Sequence, residues 1–178
     1  MKTIVLVGVP DVGKSYCVYE LAAWLSCNGW KDVSDLLYEK CLWTGAPFVA
    51  MQNRRDGSEN IRQLFEKEGK YILLHAPMDD ERCVEALLKN LEALRQAGIK
   101  VDLLVSTLRR LDNSQYNRTL NKMNWKELGD KLVDADGNEL VQIPLLRVKY
   151  EWNHTTVVGW YNQKSARLLQ ILADKLIK

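Results

Sequence analysis

The chain has 178 residues, enough for one domain with a sizeable core and too few for two ordinary domains. Hydrophobic residues make up 47% and charged residues 27% of the sequence, a globular composition that excludes an intrinsically disordered chain. Because no apolar run approaches the roughly 20 residues of a membrane-spanning helix, we expect no membrane association.

The cysteines indicate the redox compartment. None of the four forms a C-x-x-C pair, and no histidine lies at a zinc-like spacing from them. We therefore predict a cytoplasmic chain in a reducing environment, without disulfides or a structural metal.

Apolar patterning alternates between buried strands and amphipathic helices. The run 4–7 is continuously apolar and closes at Gly8, and the segment after it repeats apolar residues every three or four positions. The predicted elements are, in chain order, strand 4–7, helix 14–26, helix 32–42, helix 59–67, strand 71–74, helix 79–97, strand 101–105, a helical piece near Trp125, a hairpin turn at 134–138, strand 145–152 and helix 163–177.

This alternation predicts the fold class. Strands that alternate with helices favour an α/β protein with a mostly parallel central sheet covered on both faces, that is, a three-layer αβα sandwich. No linker or repeat interrupts the pattern, so we expect residues 1–178 to form a single domain.

The strongest motif lies between the first strand and the first helix. Residues 8–15 read G-x-x-x-x-G-K-S, in which the two glycines let backbone amides converge on phosphate oxygens. The start of a helix adds its positive end. Lys14 can reach the β- and γ-phosphates, and the Ser15 hydroxyl can coordinate Mg²⁺.

With this motif in strand–loop–helix context, the chain resembles the P-loop NTPase superfamily. The resemblance implies ATP and Mg²⁺ as ligands, with Ser15 as the metal ligand. It implies a nucleotide-binding segment made of Gly8, Pro10, Asp11, Val12, Gly13, Lys14, Ser15 and Tyr16.

Two branches of this superfamily compete. The motif is similar to the G-x-P-N-V-G-K-S form of translation-factor-related GTPases. However, 121–124 reads N-K-M-N without the aspartate that pairs with guanine, and no D-x-x-G follows a predicted strand. The small P-loop kinases, such as nucleoside monophosphate kinases and polynucleotide kinases, fit more features.

The kinase resemblance implies an acceptor site after the first helix. Asp35 lies 21 residues after Lys14, similar to the acid that activates the acceptor hydroxyl in polynucleotide kinases. Its carboxylate could act as general base, and Asp32 is the alternative. Candidate substrate-binding residues are Asp35, Trp43, Arg54, Arg55 and His75.

An arginine-rich segment follows the third predicted strand, where small kinases carry a mobile lid. We expect a lid at about 106–126, with Arg109, Arg110 and Arg118 binding the transferred phosphate. Residues 95–131 carry eight basic and four acidic side chains, which suits an anionic ligand.

The sequence departs from the kinases after the second predicted strand. There, many P-loop kinases present an acid that binds Mg²⁺ through water, whereas this chain reads H-A-P-M. Asp79, Asp80 or Asp35 could serve instead, because Mg²⁺ prefers oxygen ligands.

The sequence therefore predicts an ATP-dependent phosphotransferase that acts on a nucleotide or nucleic-acid acceptor. The alternatives are a nucleotide-dependent switch or assembly NTPase that transfers phosphate only to water, and a scaffold that binds nucleotide without turnover. The acceptor, the choice of ATP or GTP, and a possible homodimer stay open.

Overall fold

A computed structural model describes residues 1–8, 12–40, 62–76, 81–109, 140–145 and 154–178. Its elements are β1 (Lys2–Gly8), α1 (Lys14–Cys27), β2 (Lys31–Asp32), α2 (Asp35–Lys40), β3 (Arg62–Lys67), β4 (Lys70–His75), α3 (Glu81–Gln96), β5 (Leu103–Arg109), β6 (Leu140–Pro144) and α4 (His154–Ile177).

The strands of the described residues form one mixed sheet in the order β2-β3-β4-β5-β1-β6. Strands β4, β5, β1 and β6 run parallel, whereas β2 and β3 are joined to the sheet by antiparallel pairing. The prediction of an α/β fold is confirmed, and the sheet is parallel only over its four strands from β4 to β6.

Helices cover both faces of the sheet. Because side chains alternate along a strand, Ile4 and Leu6 of β1 join one buried cluster with α1 and α4. Val5, on the opposite face, joins a second buried cluster with residues of α2 and α3. Each cluster buries apolar side chains of the central strands, and this burial is the main source of stability in such folds.

The helix predicted over 59–67 is wrong in its described part, because Arg62–Lys67 is strand β3. A two-residue turn joins β3 to β4, with φ of 52° at Glu68 and 76° at Gly69. Two consecutive positive φ angles are typical of the tight hairpin turn that matches strand twist. The turn therefore holds the segment against β4 as a strand.

Other predicted boundaries also move, including the helix predicted over 32–42, which begins at Asp35 because Lys31–Asp32 is strand β2. The helical piece near Trp125 and the hairpin turn at 134–138 lie outside the described residues. The third predicted strand, 101–105, is β5 and continues to Arg109. The segment before Leu145 forms strand β6, parallel to β1, and the strand expected from residue 145 onwards lies largely outside the described residues. Helix α4 begins at His154, nine residues earlier than expected.

In the part of the chain that the structure describes, no helix combines the length and the apolar character that crossing a bilayer requires.

Candidate functional site

The carboxyl end of β1 lies where the strand order reverses. Strands β4 and β5 lie on one side of β1, and β6, which follows them in the sequence, lies on the other side. In open parallel sheets, such a reversal leaves a crevice beyond the carboxyl ends of the strands, where ligands bind. The G-x-x-x-x-G-K-S motif begins at this point.

The strand before the motif and the helix after it are confirmed. Gly8 is the last residue of β1, and α1 begins at Lys14. Gly13 adopts φ 87°, a left-handed conformation that glycine reaches without steric cost. Its carbonyl oxygen accepts a hydrogen bond of 3.0 Å from the amide of Cys17. Residues 9–11, including Pro10 and Asp11, lie outside the described residues.

The side chain of Lys14, near the end of the motif, contacts the backbone of Gly8 at its start. Its Nζ donates a hydrogen bond of 2.9 Å to the carbonyl oxygen of Gly8. The side chain is half-buried, as is that of Ser15 in the same first helical turn. A phosphate at this position would meet the Lys14 ammonium, the Ser15 hydroxyl and the positive end of α1.

Val12 and Tyr16 contribute mainly to packing. Val12 is buried within the cluster beneath α1 and α4, and the ring of Tyr16 packs against the same cluster. Burial and the nearby Glu20 carboxylate raise the pKa of Tyr16. The neighbouring thiol of Cys17 is buried, which raises its pKa to about 12, so it stays protonated and unreactive at neutral pH.

Gly8 has no room for a side chain. A Cβ on Gly8 would lie 2.7 Å from Cγ2 of Val12 and 2.8 Å from the carbonyl oxygen of Leu145. The backbone of Leu145 is held in place, because its amide donates a hydrogen bond of 2.7 Å to the carbonyl oxygen of Val7. The end of β6 therefore packs tightly against the start of the motif.

We expect Gly8→Ala to destabilise the fold by about 1–3 kcal/mol, the usual cost of overpacking a core, and to weaken nucleotide binding. Chemical denaturation and titration calorimetry measure the two effects. Gly98→Ala is the matched control, since Gly98 has open space around its Cα and its positive φ provides only backbone strain. Gly98→Ala should lower stability through this strain alone and leave nucleotide binding unchanged, so equal weakening of nucleotide binding by both variants would contradict the packing argument at the motif.

The acids predicted to activate the acceptor lie at the far edge of the sheet. Asp32 accepts hydrogen bonds from the amide of Ser34, at 2.9 Å, and from its hydroxyl. The Ser34 hydroxyl also accepts a bond of 3.1 Å from the amide of Leu64 on β3. These contacts join the start of α2 to β3, and Asp35 is the exposed first residue of α2.

Strand register gives the separation between Asp35 and the motif. Leu64 is level with Thr3 of β1, three strand spacings away, and Thr3 precedes Gly8 by five residues. With about 4.8 Å between strands and 3.3 Å per residue, the start of α2 lies about 20 Å from Gly8. The structure does not bring Asp35 or Asp32 together with the motif.

His75, predicted to contact substrate, is the buried last residue of β4. Its side chain is 1% exposed and lies opposite Arg62 of β3, which is also buried. Burial, and then the positive charge of Arg62, lower the pKa of His75 to about 3. His75 is therefore a neutral, packed side chain. Sequence reasoning missed Arg62, since the helix prediction gave no reason to expect it in a strand.

The predicted lid begins too early. Residues 106–109 belong to β5, because this strand continues its pairing with β1 until Arg109 reaches the level of Gly8. The backbone of Arg109 therefore lies directly beside the start of the motif. The other predicted residues of the lid and the acceptor site lie outside the described residues: Arg110, Arg118, Trp43, Arg54, Arg55, Asp79 and Asp80.

Sequence reasoning also missed two hydroxyls near the site, Ser106 and Thr107. Their signal was present in the sequence as a polar pair within the otherwise apolar run 103–108. Both side chains are buried and hydrogen-bonded to the end of β4.

No protein-family model, curated protein or solved structure matches the chain in the comparisons made.

Proposed function

We propose that the chain binds ATP with Mg²⁺ at residues 8–15 and transfers the γ-phosphate to a nucleotide or nucleic-acid acceptor, as a P-loop kinase. One observation carries the proposal. The G-x-x-x-x-G-K-S motif runs from the carboxyl end of a central parallel strand into a helix, at the point where the strand order reverses. A motif of this kind at such a place is suited to phosphate binding.

Lys14 and Ser15 would have different roles in phosphate binding. Lys14 would exchange its bond to the Gly8 carbonyl for bonds to phosphate oxygens, which are stronger because both partners are charged. Ser15 supplies a hydroxyl oxygen, the kind of ligand Mg²⁺ prefers, and the phosphates can supply others. Mg²⁺ would neutralise charge that develops on the transferred group.

On the acceptor side, transfer breaks the bond between the γ-phosphorus and the oxygen bridging it to the β-phosphate. A bond to the acceptor oxygen forms, ADP leaves, and a hydroxyl acceptor loses its proton to solvent. Of the predicted lid arginines, Arg109 is the one that lies among the described residues, and its Cα pairs with that of Gly8. Trp43, Arg54, Arg55, Arg110 and Arg118 stay predictions for the acceptor and lid.

A second candidate function is a nucleotide-dependent switch or assembly NTPase, which transfers phosphate only to water. The position of Asp35 favours it, because the predicted general base lies about 20 Å from Gly8 by strand spacing and rise. A switch needs no base for an organic acceptor.

Incubation with γ-labelled ATP and a panel of nucleosides, nucleotides and short DNA or RNA distinguishes the two. Label on an acceptor supports the kinase, and free phosphate alone supports the switch. Nucleotide binding without either would indicate a scaffold.

From the position of Asp35, we expect Asp35→Asn to change ATP affinity and phosphate release by no more than about twofold, the usual range for a surface substitution. The measurement is calorimetry combined with the labelled-phosphate assay. Loss of transfer with unchanged ATP binding would contradict this expectation and support Asp35 as the base.

A further inference from the structure

Two neighbouring hydroxyls of β5 hold the end of β4. Ser106 is 0% and Thr107 is 4% exposed. The Ser106 hydroxyl donates a hydrogen bond of 2.8 Å to the carbonyl oxygen of His75, and the Thr107 hydroxyl donates one to the carbonyl oxygen of Ala76. Two side chains thus hold two consecutive carbonyls.

These bonds begin where main-chain pairing stops. The pairing between β4 and β5 runs to His75 and Ser106, and the hydroxyls extend the attachment to Ala76. Since neighbouring side chains of a strand point to opposite faces, the end of β4 is held from both faces of β5. This arrangement fixes the positions of His75 and Ala76 beside β5.

The start of the motif is closed on its β6 side. On the β6 side, the Leu145 carbonyl would lie 2.8 Å from a Cβ at Gly8, so no phosphate fits between them. The nucleotide's terminal phosphate would therefore extend toward β5 and β4. Thr107 is level with Leu6 of β1, two residues before Gly8, and Ala76 lies one further strand away. By this register, the end of β4 would form a wall on the side of the nucleotide away from β6.

We propose that Ser106 and Thr107 are positioning residues that fix this wall and thereby determine how much more tightly the site holds ATP than ADP. The inference rests on the proposed nucleotide site and adds to it a determinant of the terminal-phosphate preference. Small displacements matter here, because contacts to a terminal phosphate depend steeply on position.

The test compares the affinities of Mg·ATP and Mg·ADP, measured by calorimetry in the full chain. Thr107→Val keeps the side-chain shape and removes the hydroxyl, and Ser106→Ala removes the other hydroxyl. We expect each variant to lower the affinity for Mg·ATP about tenfold, a change of roughly 1.4 kcal/mol. The affinity for Mg·ADP should stay within about twofold of the wild-type value. Thr107→Ser should keep the wild-type ratio, because it retains the donor.

Thr3→Val is the matched control. Thr3 is a buried threonine of β1, and among the described residues its hydroxyl has no hydrogen-bond partner. We expect this variant to keep the wild-type ATP-to-ADP ratio. Thermal unfolding of every variant shows whether the fold is retained.

The remaining outcomes would overturn the proposal in distinguishable ways. If the wild-type chain binds neither nucleotide, both this proposal and the proposed function are wrong. If it binds ATP and ADP equally, or if Thr107→Val and Ser106→Ala keep the wild-type ratio, only the positioning role is wrong. Equal weakening of both nucleotides, with lowered stability, would show that the hydroxyls support the fold alone.

Discussion

Replacing Lys14 with alanine should reduce the affinity for Mg·ATP by at least about 100-fold, equivalent to roughly 2.7 kcal/mol. The variant removes the only side-chain cation that the described motif residues offer to a phosphate. A hydrogen bond to a charged group contributes about 1.5–3 kcal/mol, and Lys14 can contact more than one phosphate oxygen. Calorimetry with Mg·ATP measures the loss.

The controls separate binding from folding. Lys14 also donates to the Gly8 carbonyl, so Lys14→Ala should lower the free energy of unfolding by about 1 kcal/mol, the value of one ordinary hydrogen bond. Lys89→Ala, at an exposed position of α3, should change neither quantity appreciably. Unchanged ATP affinity in a folded Lys14→Ala variant would remove the basis of the proposed function.

Acid should destabilise the fold through His75. The pKa of this buried histidine is lowered from 6.5 to about 3. Below pH 6.5 the histidine of the unfolded chain is protonated, whereas that of the folded chain stays neutral down to about pH 3. The free energy of unfolding should therefore fall by about 1.4 kcal/mol per pH unit within this window. We expect a loss of about 2 kcal/mol from this group between pH 7 and pH 5, with full stability retained above pH 6.5.

The contribution of His75 can be isolated by comparing pH slopes. Other groups also titrate in acid, including the Glu92 carboxyl, whose pKa is lowered to about 2 by its bonds to Arg95 and Gln96. His75→Gln should flatten the slope of unfolding free energy between pH 6.5 and 4, even if it lowers overall stability. His154→Gln, at the chain's other histidine, is the control. A ring resonance of His75 that titrates near pH 6.5 would contradict the expectation.

The hairpin shows why part of the fold escaped sequence reasoning. Leu64 and Phe65 are adjacent and bury into clusters on opposite faces of the sheet. A strand buried on both faces loses the alternation that identifies it. The segment was therefore predicted as a helix over 59–67. Pairing with β4 across the Glu68–Gly69 turn decided the outcome.

The candidate site also has a part that local sequence determines, the phosphate-binding motif, and a part that depends on strand pairing, the predicted acceptor residues. Gly8, Gly13, Lys14 and Ser15 form one short segment, so their relative positions follow from local chain geometry. Asp35 was predicted from its distance along the sequence to Lys14, and His75 from its place after the second predicted strand. Sequence distance does not fix spatial distance, and the sheet order separates Asp35 from the motif by several strands.

The sequence alone determined a strand–loop–helix unit with glycines at both ends of the loop and a lysine at the helix start, because these features depend on neighbouring residues. It also determined the α/β class through the periods of its apolar residues. Only the tertiary structure decided that β5 lies between β4 and β1, that Ser106 and Thr107 hold the end of β4, and that His75 is buried. These outcomes depend on which strands pair, and pairing is set by the combined burial and hydrogen bonding of segments distant in the chain.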